Sequence, residues 1–200
     1  ILEPNDHDPA LGKLRSCGKV APTAELKIVN SSGDTLGPNE VGEITYRSKS
    51  VMKGYWQNLE ATEKSISSGW FSTGDAGYLD EEGYLYIHDR IKDMIVSGGE
   101  NVYPAEVENA LFDHPAIGDV AVIGVPDEKW GEAVKAVVVL KPGSTVSEEE
   151  IIAHSRTKIA GYKIPKSVDF AEVLPRNPTG KLLKRELRKP YWEGKDRQIN

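Results

Sequence analysis

Two hundred residues, 38% hydrophobic and 28% charged with a formal net charge of −6, describe a globular chain with enough apolar residues for one sizeable core or two small ones. This composition excludes intrinsic disorder, collagen and coiled coil, and the longest uncharged apolar run, Ala136 to Leu140, is far short of the ~20 residues a membrane-spanning helix needs. A single cysteine, Cys17, cannot form an internal disulfide or a metal site alone, which favours a reducing, cytoplasmic setting.

Charge is unevenly distributed. Residues 1 to 90 carry 9 Lys+Arg against 14 Asp+Glu, and residues 91 to 155 carry 4 against 12. Residues 156 to 200 reverse the balance, with 12 against 5, as suits either a solvated helix or a polyanionic ligand such as a nucleotide. The chain opens at Ile1 with neither a signal peptide nor a transit sequence, and a start without Met suggests a fragment.

The first ninety residues read as short strands broken by turns. Glu25 to Val29 and Glu43 to Arg47 are extended candidates, separated by Asn30-Ser31-Ser32-Gly33-Asp34 and Gly37-Pro38-Asn39. Trp70 to Ser72 and Tyr84 to Ile87 follow, with Asp80-Glu81-Glu82-Gly83 as a hairpin turn. After about Arg90 the period changes. Pro104 suits a first helical position, and Val107, Ala110 and Leu111 fall at i, i+3 and i+4. Val120 to Val125 and Ala133 to Leu140 are β-branched runs of strand length, the second apolar enough for a central strand. Ser147-Glu148-Glu149-Glu150 is a capping box with Val146 and Ile151 placed for a hydrophobic staple, which predicts a helix from about 148 to 159. Val168 to Val173 alternates as a strand, and Leu182 to Leu187 predicts a terminal helix after Gly180. The expected fold class is α+β, with a mainly β first part followed by a compact α+β module of about 110 residues.

Three glycine-containing segments pair tight turns with reactive side chains. In Ser72-Thr73-Gly74-Asp75, a carboxylate just after a strand can accept hydrogen bonds from ribose hydroxyls, although an Asx turn uses the same residues. Asp89-Arg90-Ile91-Lys92-Asp93 precedes Ser97-Gly98-Gly99-Glu100-Asn101 by four residues, at the junction of the two halves, where a linker or hinge is plausible. Pro175-Arg176-Asn177-Pro178-Thr179-Gly180-Lys181 presents one lysine on a loop of helix breakers. It is not a P-loop, because Leu182 stands where a hydroxyl would meet magnesium.

Taken in order with Gly42-Glu43-Ile44 and Lys53-Gly54-Tyr55-Trp56, then Gly69 to Asp75, Asp89 to Asp93, Ser97 to Pro104 and Pro178 to Lys181, these segments resemble the adenylate-forming (AMP-binding) enzymes. That family includes acyl-CoA synthetases, peptide adenylation domains and beetle luciferases, and the resemblance is nearest to acyl-CoA synthetases. It extends over nearly all 200 residues, whereas the family's upstream phosphate loop and Tyr-Gly-x-Thr-Glu segment do not occur here. The resemblance implies a distorted, barrel-like β subdomain over residues 1–91 and a mobile small domain over residues 92–200, with a hinge near Lys92. It implies an acid–thiol ligase that uses ATP and CoA as co-substrates, with magnesium held mainly by the part of the enzyme upstream, and a fragment that is inactive alone. Asp75 matches the ribose-binding aspartate, Arg90 an arginine near ribose and phosphate, and Lys181 the catalytic lysine at the α-phosphate, which would also contact ATP or AMP. Gly98 and Gly99 match the turn that admits the pantetheine arm. Trp130, Tyr162 and Lys166 are the remaining CoA candidates, one for packing on adenine, one for stacking and one for phosphate charge. Ile164 stands where some relatives place Arg.

The implied substrate is a fatty or aryl carboxylic acid. Two readings remain beside it: a noncatalytic nucleotide- or CoA-binding module, and an adenylating enzyme with another thiol or oxygen acceptor. Nucleic acid is not an expected partner, since no aromatic-interleaved basic repeat is present. No metal ligand is assigned, and the oligomeric state is not determined by these residues.

Overall fold

The computed structural model describes residues 1–195 and divides between Ile91 and Lys92 into two compact units. The first unit is built on β1 (Ala24–Val29), β2 (Gly42–Ser48), a short helix α1 (Leu59–Ser65), β3 (Ile66–Ser67), β4 (Trp70–Leu79) and β5 (Leu85–Arg90). All pairings are antiparallel. β4 lies beside β2 on one side, and on the other pairs with β3 at its start and β5 at its end. The turns form where the polar residues predict them. Asn30 Oδ1 accepts the N–H groups of Ser32 and Asp34, and Asp80 Oδ1 those of Glu82 and Tyr84, so each side chain satisfies the backbone of its own turn. Lys13 fastens the N-terminal segment to the second turn, its Nζ at 2.9 Å from Asp80 and 2.6 Å from Glu82 and above the Tyr84 ring.

The distortion of this sheet has a local cause. Between the pairs Thr45↔Ser72 and Glu43↔Ala76, β2 advances two residues while β4 advances four, so Thr73-Gly74-Asp75 bulges from the ladder. Gly74, at φ +74°, takes the left-handed conformation that this bulge requires. Asp75 therefore lies within a ten-residue strand, not after a short one, because the bulge lets β4 continue to Leu79.

The second unit contains β6 (Ile95–Ser97), β7 (Glu100–Val102), α2 (Pro104–Phe112), β8 (Ile117–Asp127), β9 (Gly131–Leu140), α3 (Glu148–Arg156), β10 (Ser167–Phe170) and α4 (Lys184–Trp192). The β8–β9 antiparallel ladder is its spine. β10 joins the other edge of β9 in parallel, and β6 meets the start of β9 through Ser97↔Gly131. Alternate residues of β8 and β9 feed two cores, as a sheet covered on both faces requires. Val120, Val122, Val134, Ala136 and Val138 face α2 and α3 with Ile95, Val107, Leu111 and Ile151. Ala121, Ile123, Val125, Ala133 and Val137 face Leu174 and the Leu182, Leu187 and Tyr191 side chains.

The capping box is present in full: Ser147 Oγ accepts the Glu150 N–H, and Glu150 Oε2 accepts the Ser147 N–H. α3 stops at Arg156 and not near 159, because the Thr157 and Lys158 N–H groups tighten into a terminal turn on His154 and Ser155. The strand expected over 168–173 ends at Phe170, after which the chain crosses to bury Leu174 in the second core. The last helix begins at Lys184, not at Leu182. Leu182 is bridged to Arg176 and the Leu183 N–H donates to the Pro175 carbonyl, so both residues close the preceding loop. Of the junction Asp89 to Asn101, where a linker or hinge is expected, the part after the division at Ile91/Lys92 forms the β6–β7 hairpin from Ile95 to Val102, and Ile95 within it is fully buried. Truncating such a side chain costs roughly 2–5 kcal/mol, so the segment is core rather than connector.

Candidate functional site

In the first unit the candidate residues are brought together by register. Asp75 and Arg90 are direct partners across β4 and β5, so their side chains leave the same face. The bulge that carries Asp75 is held at three points. Thr73 Oγ1 donates to the Ile44 carbonyl at 2.8 Å and accepts the Asp75 N–H at 3.1 Å, while Glu43 Oε1 accepts the Gly74 N–H at 3.2 Å. The hydroxyl and not an Asx turn shapes this segment. A carboxylate and a guanidinium side by side on a rigid ladder can take up a vicinal diol and a phosphate at once. Glu43 stands in one of the segments that carry the family resemblance, but its contact with this bulge spans 31 positions and has no local signal.

Lys92 lies at the division of the chain, in the turn Ile91–Asp93. Its carbonyl accepts from Arg188 at 3.5 Å, and Asp93 forms an ion pair with Arg188 at 3.1 Å. Residues immediately after the boundary are thereby tied to α4 of their own unit.

Gly98 and Gly99 are the two loop residues of the β6–β7 hairpin, with φ of +62° and +87°. Two consecutive left-handed residues are what a type I′ hairpin turn demands, which explains the paired glycines. Gly98 has a second reason: its N–H donates to the Trp130 carbonyl at 2.8 Å, and a Cβ there would stand 2.6 Å from the Trp130 ring. The indole is 40% exposed, with the Lys129 Nζ 4.6 Å and the Lys166 Nζ 5.9 Å from its ring centroid. Lys166 also lines a surface depression of about 270 Å³ with Ile152, Arg156, Gly161, Ile164 and Pro165. Tyr162 is exposed in the turn Gly161–Lys163, which lies against β7. Its neighbour Lys163 has its Nζ 5.4 Å from the Tyr162 ring centroid and forms an ion pair with Glu106 at 2.6 Å. Burial alone would lower the Lys163 pKa, but the Glu106 carboxylate outweighs it and the value is raised. Gly98, Trp130 and Lys166 thus form one group, with flat apolar surface and two ammonium groups beside it.

Lys181 stands elsewhere in the same unit. Asn177 Oδ1 accepts the N–H groups of Thr179 and Lys181, and the Asn177 N–H returns to the Lys181 carbonyl, so the loop is wound around one side chain. Gly180 takes φ +84° to close it. Arg176 donates from Nη1 to the Gly180 carbonyl at 2.9 Å and from Nη2 to Asp119 at 2.7 Å. The Lys181 side chain is exposed.

Position along the ladder separates these groups. Asp119, beside the Lys181 loop, pairs with Val139, whereas Asp127, before Trp130, pairs with Gly131 at the other end of β8. Eight residues of strand at ~3.4 Å each put the two ends roughly 27 Å apart. Among the described residues no three His, Cys, Asp or Glu side chains gather as a metal ion would require. No helix among them is long and apolar enough to cross a membrane.

Comparison with known proteins matches residues 106–181 to the AMP-binding enzyme C-terminal domain and residues 3–56 to the AMP-binding enzyme family. A feruloyl-CoA synthase of Amycolatopsis is 48% identical over 179 residues, 90% of this chain and 36% of the relative. A long-chain-fatty-acid–CoA ligase of Mycobacterium tuberculosis is 48% identical over 184 residues, 92% of this chain and again 36% of the relative. Among solved structures, the o-succinylbenzoate CoA synthetase of Bacillus subtilis in complex with its acyl-adenylate intermediate superimposes with a TM-score of 0.81 at 42% identity. That match covers 96% of this chain and 37% of the other. The chain therefore spans little more than a third of the length of these relatives.

Proposed function

The chain belongs to the AMP-binding enzymes, and on that premise we propose that it works within a complete acyl-CoA synthetase acting on a fatty or aryl carboxylic acid. In the first half-reaction the acid's carboxylate oxygen attacks the α-phosphorus of ATP and pyrophosphate leaves. In the second, the CoA thiol attacks the acyl carbon of the adenylate and AMP leaves. Asp75 takes the ribose hydroxyls and Arg90 the ribose and α-phosphate region. Lys181 neutralises charge that develops on the α-phosphate and the attacking carboxylate, a task suited to a long, exposed ammonium. The Gly98-Gly99 turn admits the pantetheine arm. Trp130 and Tyr162 offer flat surface to the CoA nucleotide, and Lys166 offers charge to its phosphates. Magnesium is not assigned to residues of this chain.

One observation carries this reading: Lys181 and the Gly98-Gly99 turn stand at opposite ends of a single rigid ladder. Groups held beside opposite ends of a strand span of roughly 27 Å cannot serve one reacting centre together, so two half-reactions that each need one of them require a turn of the small unit about Lys92. The test is acid-dependent ATP–pyrophosphate exchange by the complete enzyme over fatty and aromatic acids, with Lys181→Ala in parallel. Loss of one such charge contact costs about 3 kcal/mol, so exchange falls at least roughly 100-fold in the variant. Thioester formation from supplied acyl-adenylate stays close to wild type. Absence of exchange with every acid, with ATP binding intact, would refute catalysis in favour of a nucleotide-binding module.

A further inference from the structure

Resting on the reading of Lys181 as the adenylation lysine, we propose that Arg176 and Asp119 are positioning residues that set where this lysine stands. The Lys181 loop has two kinds of restraint. Internally, Asn177 satisfies its backbone, which fixes the shape of the loop but not its place on the domain. Externally, the loop is tied to the sheet through the Arg176 fork, with one nitrogen on the Gly180 carbonyl and the other on Asp119 of β8. The Gly180 carbonyl belongs to the peptide bond that leads into Lys181, so the fork acts one bond from the lysine backbone. Asp119 is itself oriented, because its other oxygen accepts the Val120 N–H at 3.0 Å.

The far side of the loop is held by a second tether. Lys184, the first residue of α4, meets Glu108 at 2.8 Å, and the same Glu108 oxygen accepts the Val122 N–H on the free edge of β8. With α4 anchored there and Leu182 packed on the second core, the stretch from Arg176 to Lys184 is pinned at both ends, and the Arg176 fork is the side-chain contact that ties the Gly180 carbonyl at the tip of the turn to β8. Arginine is required for this geometry. A lysine ammonium could reach the carbonyl or the carboxylate but lacks the planar fork that spans both. Lys181 has a long stem of its own, so a loop free to shift by about 1 Å would leave the lysine present but wrongly placed, an error that can cost roughly 100-fold in rate.

The test uses the complete enzyme and reads the two half-reactions separately, with thermal melting alongside to verify folding. Arg176→Gln and Asp119→Ala are expected to lower kcat for pyrophosphate exchange by roughly 10- to 100-fold with little change in KM for the acid. Thioester formation from supplied acyl-adenylate is expected to stay within about twofold, because the Gly98-Gly99 turn lies at the other end of the ladder. Arg176→Lys should fail to restore exchange, whereas Asp119→Asn, which keeps an oxygen for the fork, should restore most of it. Equal losses in both half-reactions would mean that Arg176 only supports the fold, and wild-type exchange in Arg176→Gln would mean that the lysine needs no fork; either result overturns the proposal. Lys181→Ala separates the two layers of the argument. If its exchange is unaffected, the assignment of the lysine falls and the proposal with it; if its exchange is lost while Arg176→Gln is normal, only the proposal falls.

Discussion

Replacing Gly98 by alanine tests the packing of the hairpin turn on Trp130 most sharply. Both turn glycines have positive φ, so alanine at either position carries a left-handed strain of roughly 1–2 kcal/mol, partly offset by the reduced freedom of the unfolded chain. These contributions bear on both Gly98→Ala and Gly99→Ala, and since φ +87° at Gly99 is further from the left-handed well than φ +62° at Gly98, they work against the difference expected from packing. Only Gly98 meets a neighbour: its new Cβ would stand 2.6 Å from Trp130 Cε3 and 3.0 Å from Cζ3, whereas nothing lies within 4 Å of a Cβ at Gly99. Ordinary carbon contact is ~3.5–4.0 Å, so the indole must retreat by about 1 Å. The backbone cannot retreat with it, because the Gly98 N–H is bound to the Trp130 carbonyl. Overpacking of this size costs roughly 1–3 kcal/mol. Gly98→Ala is therefore expected to be less stable than Gly99→Ala by about 1 kcal/mol in urea denaturation followed by circular dichroism, or by ~2–4 °C in melting temperature. In a Trp130→Ala background the difference should vanish or reverse, since the clash has no partner. Equal losses for the two glycine variants, or a difference that survives removal of the indole, would refute the reasoning.

Two predictions concern pH. Burial pushes the Asp80 carboxyl up, but the Lys13 ammonium and the Tyr84 and Glu82 N–H groups outweigh it, holding its pKa below the usual range. Such a group contributes stability that is present above its unfolded value of ~3.9 and lost as pH falls through the folded one, so Lys13→Met should flatten the acid limb of an unfolding curve. At the alkaline end, the Asp6 carboxylate and burial raise Tyr84 to about 12, and burial and the Asp169 carboxylate raise Tyr191 to about 12. Phenols raised above an ordinary ~10 stabilise the fold fully below that pH and lose the contribution as pH approaches 12, so an ultraviolet titration of the protein should show a phenol component above the ordinary range that shrinks in Tyr84→Phe and in Tyr191→Phe. Tyr191→Phe should reduce the alkaline loss of stability.

Local signals in the chain were reliable wherever the physics is local. The capping box at Ser147 and Glu150, the Asp80 turn and the Pro104 helix start each depend on residues within four positions of one another, and each forms as its sequence predicts. Signals misled where tertiary pairing overrode them. The paired glycines at 98 and 99 mark a turn correctly, but nothing local shows that the turn joins two strands whose Ile95 and Val102 are fully buried. The run from Leu182 to Leu187 predicts a helix, with Leu183 and Leu187 four apart, but Leu182 is taken by the bridge to Arg176 before the helix can start.

By itself, the sequence determined which residues are the candidates for the reactive groups, because residue type and spacing in the segments around Asp75, Arg90, Gly98 and Lys181 are properties of the chain alone. It also determined the α+β class, through the change from a two-residue to a 3.6-residue period near Arg90. Tertiary structure decided how those groups are arranged. The facing of Asp75 and Arg90 depends on a bulge whose register is set by β2 and β5, and the hold on Lys181 depends on Asp119, 57 residues away from Arg176. Only the β8–β9 pairing puts Lys181 and the Gly98-Gly99 turn at opposite ends of one body. Contacts of that range follow from which strands pair and in what register, a choice made by the packing of the whole sheet and carried by no short segment of the chain.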